Sequence, residues 1–104
     1  MPPPLTYASY LDLENLFTLQ KPRSSPPEHD EMLFIIIHQT YELWFKQILH
    51  ELDATIGWLN EGRTFRANHS LRAIIGIEKV LVTQIHLLET MAQIGFLEFR
   101  DKLN

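Results

Sequence analysis

The chain has 104 residues, room for one small domain rather than two, and its 45% hydrophobic and 21% charged residues are those of a folded protein, which excludes a disordered tail. A net charge of −4 argues against the basic stripe of nucleic-acid modules, and the lack of cysteine excludes disulfides, thiolate metal sites, iron–sulfur clusters and cysteine nucleophiles. Met1-Pro2-Pro3-Pro4 has neither the basic start nor the apolar centre of a signal peptide, and the longest apolar run, Met32 to Ile37, is far short of the roughly 20 residues that span a bilayer, so a cytoplasmic protein without membrane contact is expected.

Along the chain, Leu13, Leu16, Phe17 and Gln20 follow helical spacing after Ser9, and Ser9 with Asp12 has the three-residue step of a capping box. A short helix from about Tyr10 to Leu19 is expected, ending at Lys21-Pro22 because proline drives its predecessor out of the helical region. Pro22 to Pro27 is a polar, proline-rich linker. A long helix follows, about Glu28 to Asn60, with Glu28, Asp30 and Glu31 placed in its first turn to complement the helix dipole. Ile35, Ile36 and Ile37 alone would suit a strand, but apolar residues continue through Tyr41, Trp44, Phe45, Ile48, Leu49, Leu52 and Ile56 at steps of three and four. Gly62 punctuates, and Thr64 is the expected cap of a second long helix whose apolar face runs from Leu71 through Ile74, Ile75, Leu81, Val82, Ile85 and Leu88 to about Thr90. A last short helical pattern holds Ile94, Phe96, Leu97 and Phe99.

No segment alternates with period two, so the fold class is all-α: a bundle of two long and two short helices. Residues 1–27 form an arm, short helix and linker, and residues 28–104 a long helical hairpin with a short C-terminal helix. The stretch from Met32 to Phe45 is apolar nearly all round, as for a helix surrounded by others. Two long helices cannot enclose faces so wide. The bundle is therefore expected to be completed by other copies or by further chain.

Several common chemistries fail on spacing. No glutamate has a histidine three positions later, and His50-Glu51 is followed by Ala54 where a zincin needs its second histidine. Gly57, Gly62, Gly76 and Gly95 are too scattered for a phosphate loop. Among the five histidines, His50, His69 and His86 have polar neighbours and are expected at or near the surface. His38 differs. It lies mid-helix in the most apolar stretch, one turn after Phe34, and the pair shares a face that could line a pocket for a flat ligand. The plainer alternative is a buried histidine bonded to a neighbouring helix. Tyr7 and Tyr10 could anchor the arm on another surface or simply pack the first helix, and Trp44, Phe45 and Trp58 read as core.

The run His29-Asp30-Glu31-Met32-Leu33-Phe34-Ile35-Ile36, with His38-Gln39-Thr40 and Glu42-Leu43-Trp44, resembles the signature helix of the tryptophan 2,3-dioxygenases. Leu5 to Leu11 resembles that family's N-terminal arm, Gln20-Lys21-Pro22 its short linker, and Phe99-Arg100-Asp101 a further family element. The resemblance spans nearly all of this chain but only about the first third of a family member. It implies an all-helical homotetramer with haem b that inserts O₂ across the indole C2–C3 bond of L-tryptophan to give N-formylkynurenine, the first step of the kynurenine pathway. By the same resemblance, His38 matches the distal-side histidine that meets the indole N–H, and Phe34 the aromatic residue against the indole beside the haem. Tyr7, Tyr10 and Leu11 match the arm that enters a neighbouring subunit's pocket. The family's iron-ligating histidine has no match among these residues, so no metal ligand is expected here, and Glu28 stands where the family usually has another histidine. The implied chain is an N-terminal portion that carries the distal pocket and does not hold haem alone. The alternative is an inactive helical fragment that self-associates.

Overall fold

The structure, a computed structural model, describes residues 3–92. Within them the order is α1 (Tyr7–Tyr10), α2 (Leu13–Leu16), α3 (Glu31–Asn60) and α4 (Thr64–Ala92), with no strand. The all-α expectation holds, with two long and two short helices. Both short ones, however, lie in the N-terminal part. The pattern at Ile94 to Phe99 falls outside the described residues.

The helix expected from Tyr10 to Leu19 is instead two single turns. Asp12, at φ 52° and ψ 46°, sits in the left-handed region and breaks the run, a conformation that Asp tolerates better than most residues because its short polar side chain bonds locally. The capping box is shifted as well. Thr6 is the cap, its hydroxyl accepting from the Ser9 N–H at 3.1 Å while its own N–H donates to Ser9 Oγ at 2.9 Å.

α3 begins at Glu31 rather than Glu28, and of the three acids only Glu31 is in its first turn. Its C-terminus is closed by a Schellman turn. The Gly62 N–H donates to the Leu59 carbonyl at 3.1 Å and the Arg63 N–H to the Trp58 carbonyl at 2.8 Å. Gly62 has φ +74°, where a Cβ would be strained, so glycine is needed at this reversal. Thr64 is the first residue of α4, one position inside the expected cap.

The 30 residues of α3 and 29 of α4 make helices each about 45 Å long that run antiparallel. Ile37 packs with Leu88, the Thr40 hydroxyl meets Gln84, and the Tyr41 phenol donates to the Leu81 carbonyl at 2.8 Å. These pairs step in opposite directions along the two helices. Continued toward the turn, the same register sets Thr55 level with Ala67 and Ser70, all three buried and small enough for close approach.

Apart from those small residues, Ile37, Ile74 and Ile77 are the buried hydrophobic side chains among the described residues. Met32, Leu33, Ile36, Leu43 and Phe45 all remain exposed, so the nearly all-apolar stretch of α3 is covered on one side only. Trp44 and Trp58 are half-buried, and Phe45 is not core, contrary to expectation. One neighbouring helix shields one stripe and no more.

Because this stripe is the main packing between the long helices, Ile37→Ala should destabilise the chain by the lower part of about 2–5 kcal/mol. Tyr41→Phe, which removes the phenol's bond to the Leu81 carbonyl, should cost about 1 kcal/mol. Urea denaturation followed by circular dichroism checks both; an unchanged midpoint for Ile37→Ala would show that the hairpin is held elsewhere.

Candidate functional site

Regular α-helix places Phe34 and His38 one turn apart on α3, and their rings meet with centroids 4.3 Å apart and planes tilted by 39°. The His38 Nδ1 lies 2.7 Å from the Phe34 carbonyl oxygen. A carbonyl can only accept, so Nδ1 carries the hydrogen. The neutral ring then has its lone pair on Nε2, which makes no hydrogen bond among the described residues. The plainer alternative, a buried imidazole tied to another helix, is not what the structure contains: His38 is exposed and bonded within its own helix.

His38 opens onto a groove of about 490 Å³. Its α3 side is formed by His38, Gln39, Glu42, Leu43 and Lys46, and its other side by Leu16 and Leu19. Its surface is mostly apolar although His38, Gln39, Glu42 and Lys46 also line it, a composition that suits an amphiphilic aromatic molecule. Phe34 stands behind the imidazole and does not line the groove. Tyr7, Tyr10 and Leu11 do not line it either, being 77%, 71% and 43% exposed. The structure thus joins His38 to Phe34 and leaves the three arm residues facing outward. His29, His50, His69 and His86 are exposed, as expected for the last three.

Two polar clusters went unread in the sequence. Gln39 and Gln20 bond to each other at 2.9 Å and fasten the chain after α2 to α3. A glutamine beside the one histidine of an apolar run was the available signal. The second cluster is Glu31, whose acidity suggested a partner for the helix dipole. It is only 1% exposed, and its carboxylate reaches back to accept from the Arg23 N–H at 2.9 Å, the Ser24 N–H at 3.0 Å and the Ser24 hydroxyl at 2.7 Å. The Arg23 N–H foremost, then the Ser24 hydroxyl and N–H, hold its carboxyl below the ordinary glutamate value against the opposing effect of burial.

Among the described residues, no three His, Asp or Glu side chains gather as a metal cluster would require, and no helix is long and apolar enough to cross a membrane. The family described as tryptophan 2,3-dioxygenase has a sequence model that matches residues 3–104. The chain belongs to the tryptophan 2,3-dioxygenase family. Relatives of that name include one from Herpetosiphon aurantiacus, 57% identical over 95% of this chain and 38% of its own length. Another from Nocardioides is 54% identical over 95% of this chain and 39% of its own, and one from Dictyostelium discoideum 49% identical over 93% and 26%. The chain thus spans well under half the length of these relatives.

The Glu31 clasp has a definite pH sense. Its folded pKa lies below the unfolded one, so the stability it contributes is present above the ordinary glutamate value and is lost as pH falls through the lowered folded value. The amide-proton shifts of Arg23 and Ser24 should therefore titrate together, with a midpoint below that ordinary value. Glu31→Gln should abolish the titration and speed tryptic cleavage after Arg23 at neutral pH. A midpoint at or above the ordinary value would show that the carboxylate does not hold the linker.

Proposed function

We propose that this chain is the substrate-side portion of a haem-dependent tryptophan 2,3-dioxygenase, which converts L-tryptophan and O₂ to N-formylkynurenine. The observation that supports this reading best is the bond from His38 Nδ1 to the Phe34 carbonyl, which leaves Nε2 as an acceptor without a partner among the described residues, at an exposed, largely apolar surface. An indole has one N–H donor on a flat apolar ring. Nε2 complements the donor, and Phe34, which the resemblance sets against the indole beside the haem, backs the imidazole with its ring.

The residues suit one face of a haem group and not its attachment. Phe34 and His38 would line its substrate side, with His38 on the distal side and not the iron ligand, which in this reading is supplied by chain beyond Asn104. Haem, when bound, supplies the oxygen chemistry, and the protein supplies orientation and a dry site. The contribution of His38 is to accept the indole N–H and hold the ring in one pose. A fixed pose removes the rotational freedom that would otherwise oppose reaction. His38 stays a hydrogen-bond acceptor throughout and need not remove a proton.

In the same reading the enzyme is a cytoplasmic homotetramer. Tyr7, Tyr10 and Leu11, exposed in and just after α1, a helix that packs against neither long helix, would enter the substrate pocket of a neighbouring subunit. Phenols suit that task because they bury apolar area while keeping a polar tip. A second reading, an inactive helical fragment that self-associates, draws on the exposed Leu, Ile and Phe side chains of α3 and α4.

The experiment is a chimera in which this chain replaces the matching segment of the Herpetosiphon aurantiacus relative, loaded with haem. It should form N-formylkynurenine from tryptophan. His38→Ala in the chimera should lower kcat/KM by about 10–100-fold, the value of one to two substrate hydrogen bonds, with the Soret band unchanged. Full turnover in that variant, or loss of the Soret band, would overturn the role of His38. An inactive but haem-loaded chimera, with the free chain forming a discrete oligomer, would favour the second reading.

A further inference from the structure

The groove beside His38 owes one of its walls to the last residue of α2 and the segment after it, and that stretch is not held by helix packing. α1 and α2 touch each other, but neither packs as a helix against α3 or α4. The attachment is instead a pair of side-chain amides. Gln39 Nε2 donates to the Leu19 carbonyl at 2.9 Å, and Gln39 Oε1 accepts from Gln20 Nε2 at 2.9 Å. The second hydrogen of Gln20 Nε2 goes to the Leu16 carbonyl at 3.0 Å. Backbone carbonyls only accept, so both amides are fixed in orientation with nitrogen facing them, and the bond between the two amides follows. The carbonyls of Leu16 and Leu19 are thereby tethered to α3 at the residue next to His38, and their side chains form the far wall of the groove.

We propose that Gln39 is a positioning residue: its amide, through Leu19 and Gln20, sets Leu16 and Leu19 as the apolar wall that encloses the indole of tryptophan beside His38. The proposal rests on the reading of His38 given above and extends it to the part of the site that excludes water. Gln39 does not touch the substrate. Release of its two bonds frees the segment, and the groove opens to a bare helix surface. The binding of the apolar ring then weakens, because part of its area stays in water. The pose set by His38 in the bound state is unaltered, so KM changes and kcat does not.

The test uses Gln39→Leu, which keeps bulk and removes both bonds, in the 104-residue chain and in the haem-loaded chimera. In the chain, amide hydrogen exchange across residues 16–20 should accelerate by about 5–30-fold, the loss of one or two ordinary hydrogen bonds, while α3 exchange and helical content are unchanged. In the chimera, KM for tryptophan should rise by about 5–30-fold with kcat within about twofold. Gln20→Leu should add little to Gln39→Leu at the tether to α3, because the bond between the two amides is already lost. Gln39→Glu, which keeps the acceptor for Gln20 and loses the donor to Leu19, should fall between wild type and Gln39→Leu. Unchanged exchange at 16–20 in Gln39→Leu overturns the clamp. Faster exchange with an unchanged KM, or equal losses in kcat and KM, overturns its role as a substrate wall. Full turnover of His38→Ala, with faster exchange in Gln39→Leu still seen, overturns the reading of His38 and supports the clamp alone.

Discussion

The single stripe of contact between α3 and α4 is the constraint on which everything else in this chain depends. Ile37 against Leu88 and the Tyr41 phenol on the Leu81 carbonyl set the register, and the small residues near the Gly62 turn allow the helices to close. A two-helix hairpin has only one such stripe. The faces of α3 turned away from α4 are left to the linker and to solvent, and His38 lies on an exposed one, one residue beyond the buried Ile37. A helix advances about 100° per residue, so the neighbour of a core position is turned well away from it. Burial of Ile37 and exposure of His38 are two consequences of one geometry.

That geometry also explains how an exposed histidine can be well ordered. Its Nδ1 is bonded to the carbonyl one turn earlier, and its ring lies on Phe34, so orientation is set within α3 and without help from other elements. What the neighbouring segment adds is enclosure. The two polar anchors of the linker, Glu31 and Gln39, stand about 12 Å apart along α3 and bracket the chain from Leu19 to Ser24. The buried carboxylate of Glu31 is satisfied by three donors, which is the condition for a charge to remain away from water. A polar strap rather than an apolar one suits this place, because hydrogen bonds specify register where a short, exposed segment has little area to bury.

Much of the architecture was legible in the residues. The three- and four-residue spacing from Met32 to Ile56 and from Leu71 to Leu88 marked both long helices, and Gly62 marked the reversal, because helical period and the need for a left-handed residue are local properties. The width of the apolar faces announced a core that two helices could not close. The unusual run around His38 and Gln39 carried the family, and the match over residues 3–104 bears it out. Expectations failed where a local signal had two meanings. Ser9 and Asp12 have the spacing of a capping box, yet the box is Thr6 and Ser9, and Asp12 is the break between two turns.

The sequence by itself determined the helices, the turn, the incomplete core and the identity of the residues around His38. Only the tertiary structure decided which side of α3 is covered and what Glu31 and Gln39 do. The physical reason is range. Helical period is written into residues a few positions apart, whereas a carboxylate or amide has no marked preference among the donors and acceptors that a fold can bring to it. Glu31 reads as a dipole partner until the chain from Arg23 to Ser24 is folded against it. Gln39 reads as an ordinary polar residue until the end of the arm, nineteen positions earlier at Gln20, comes within hydrogen-bond distance.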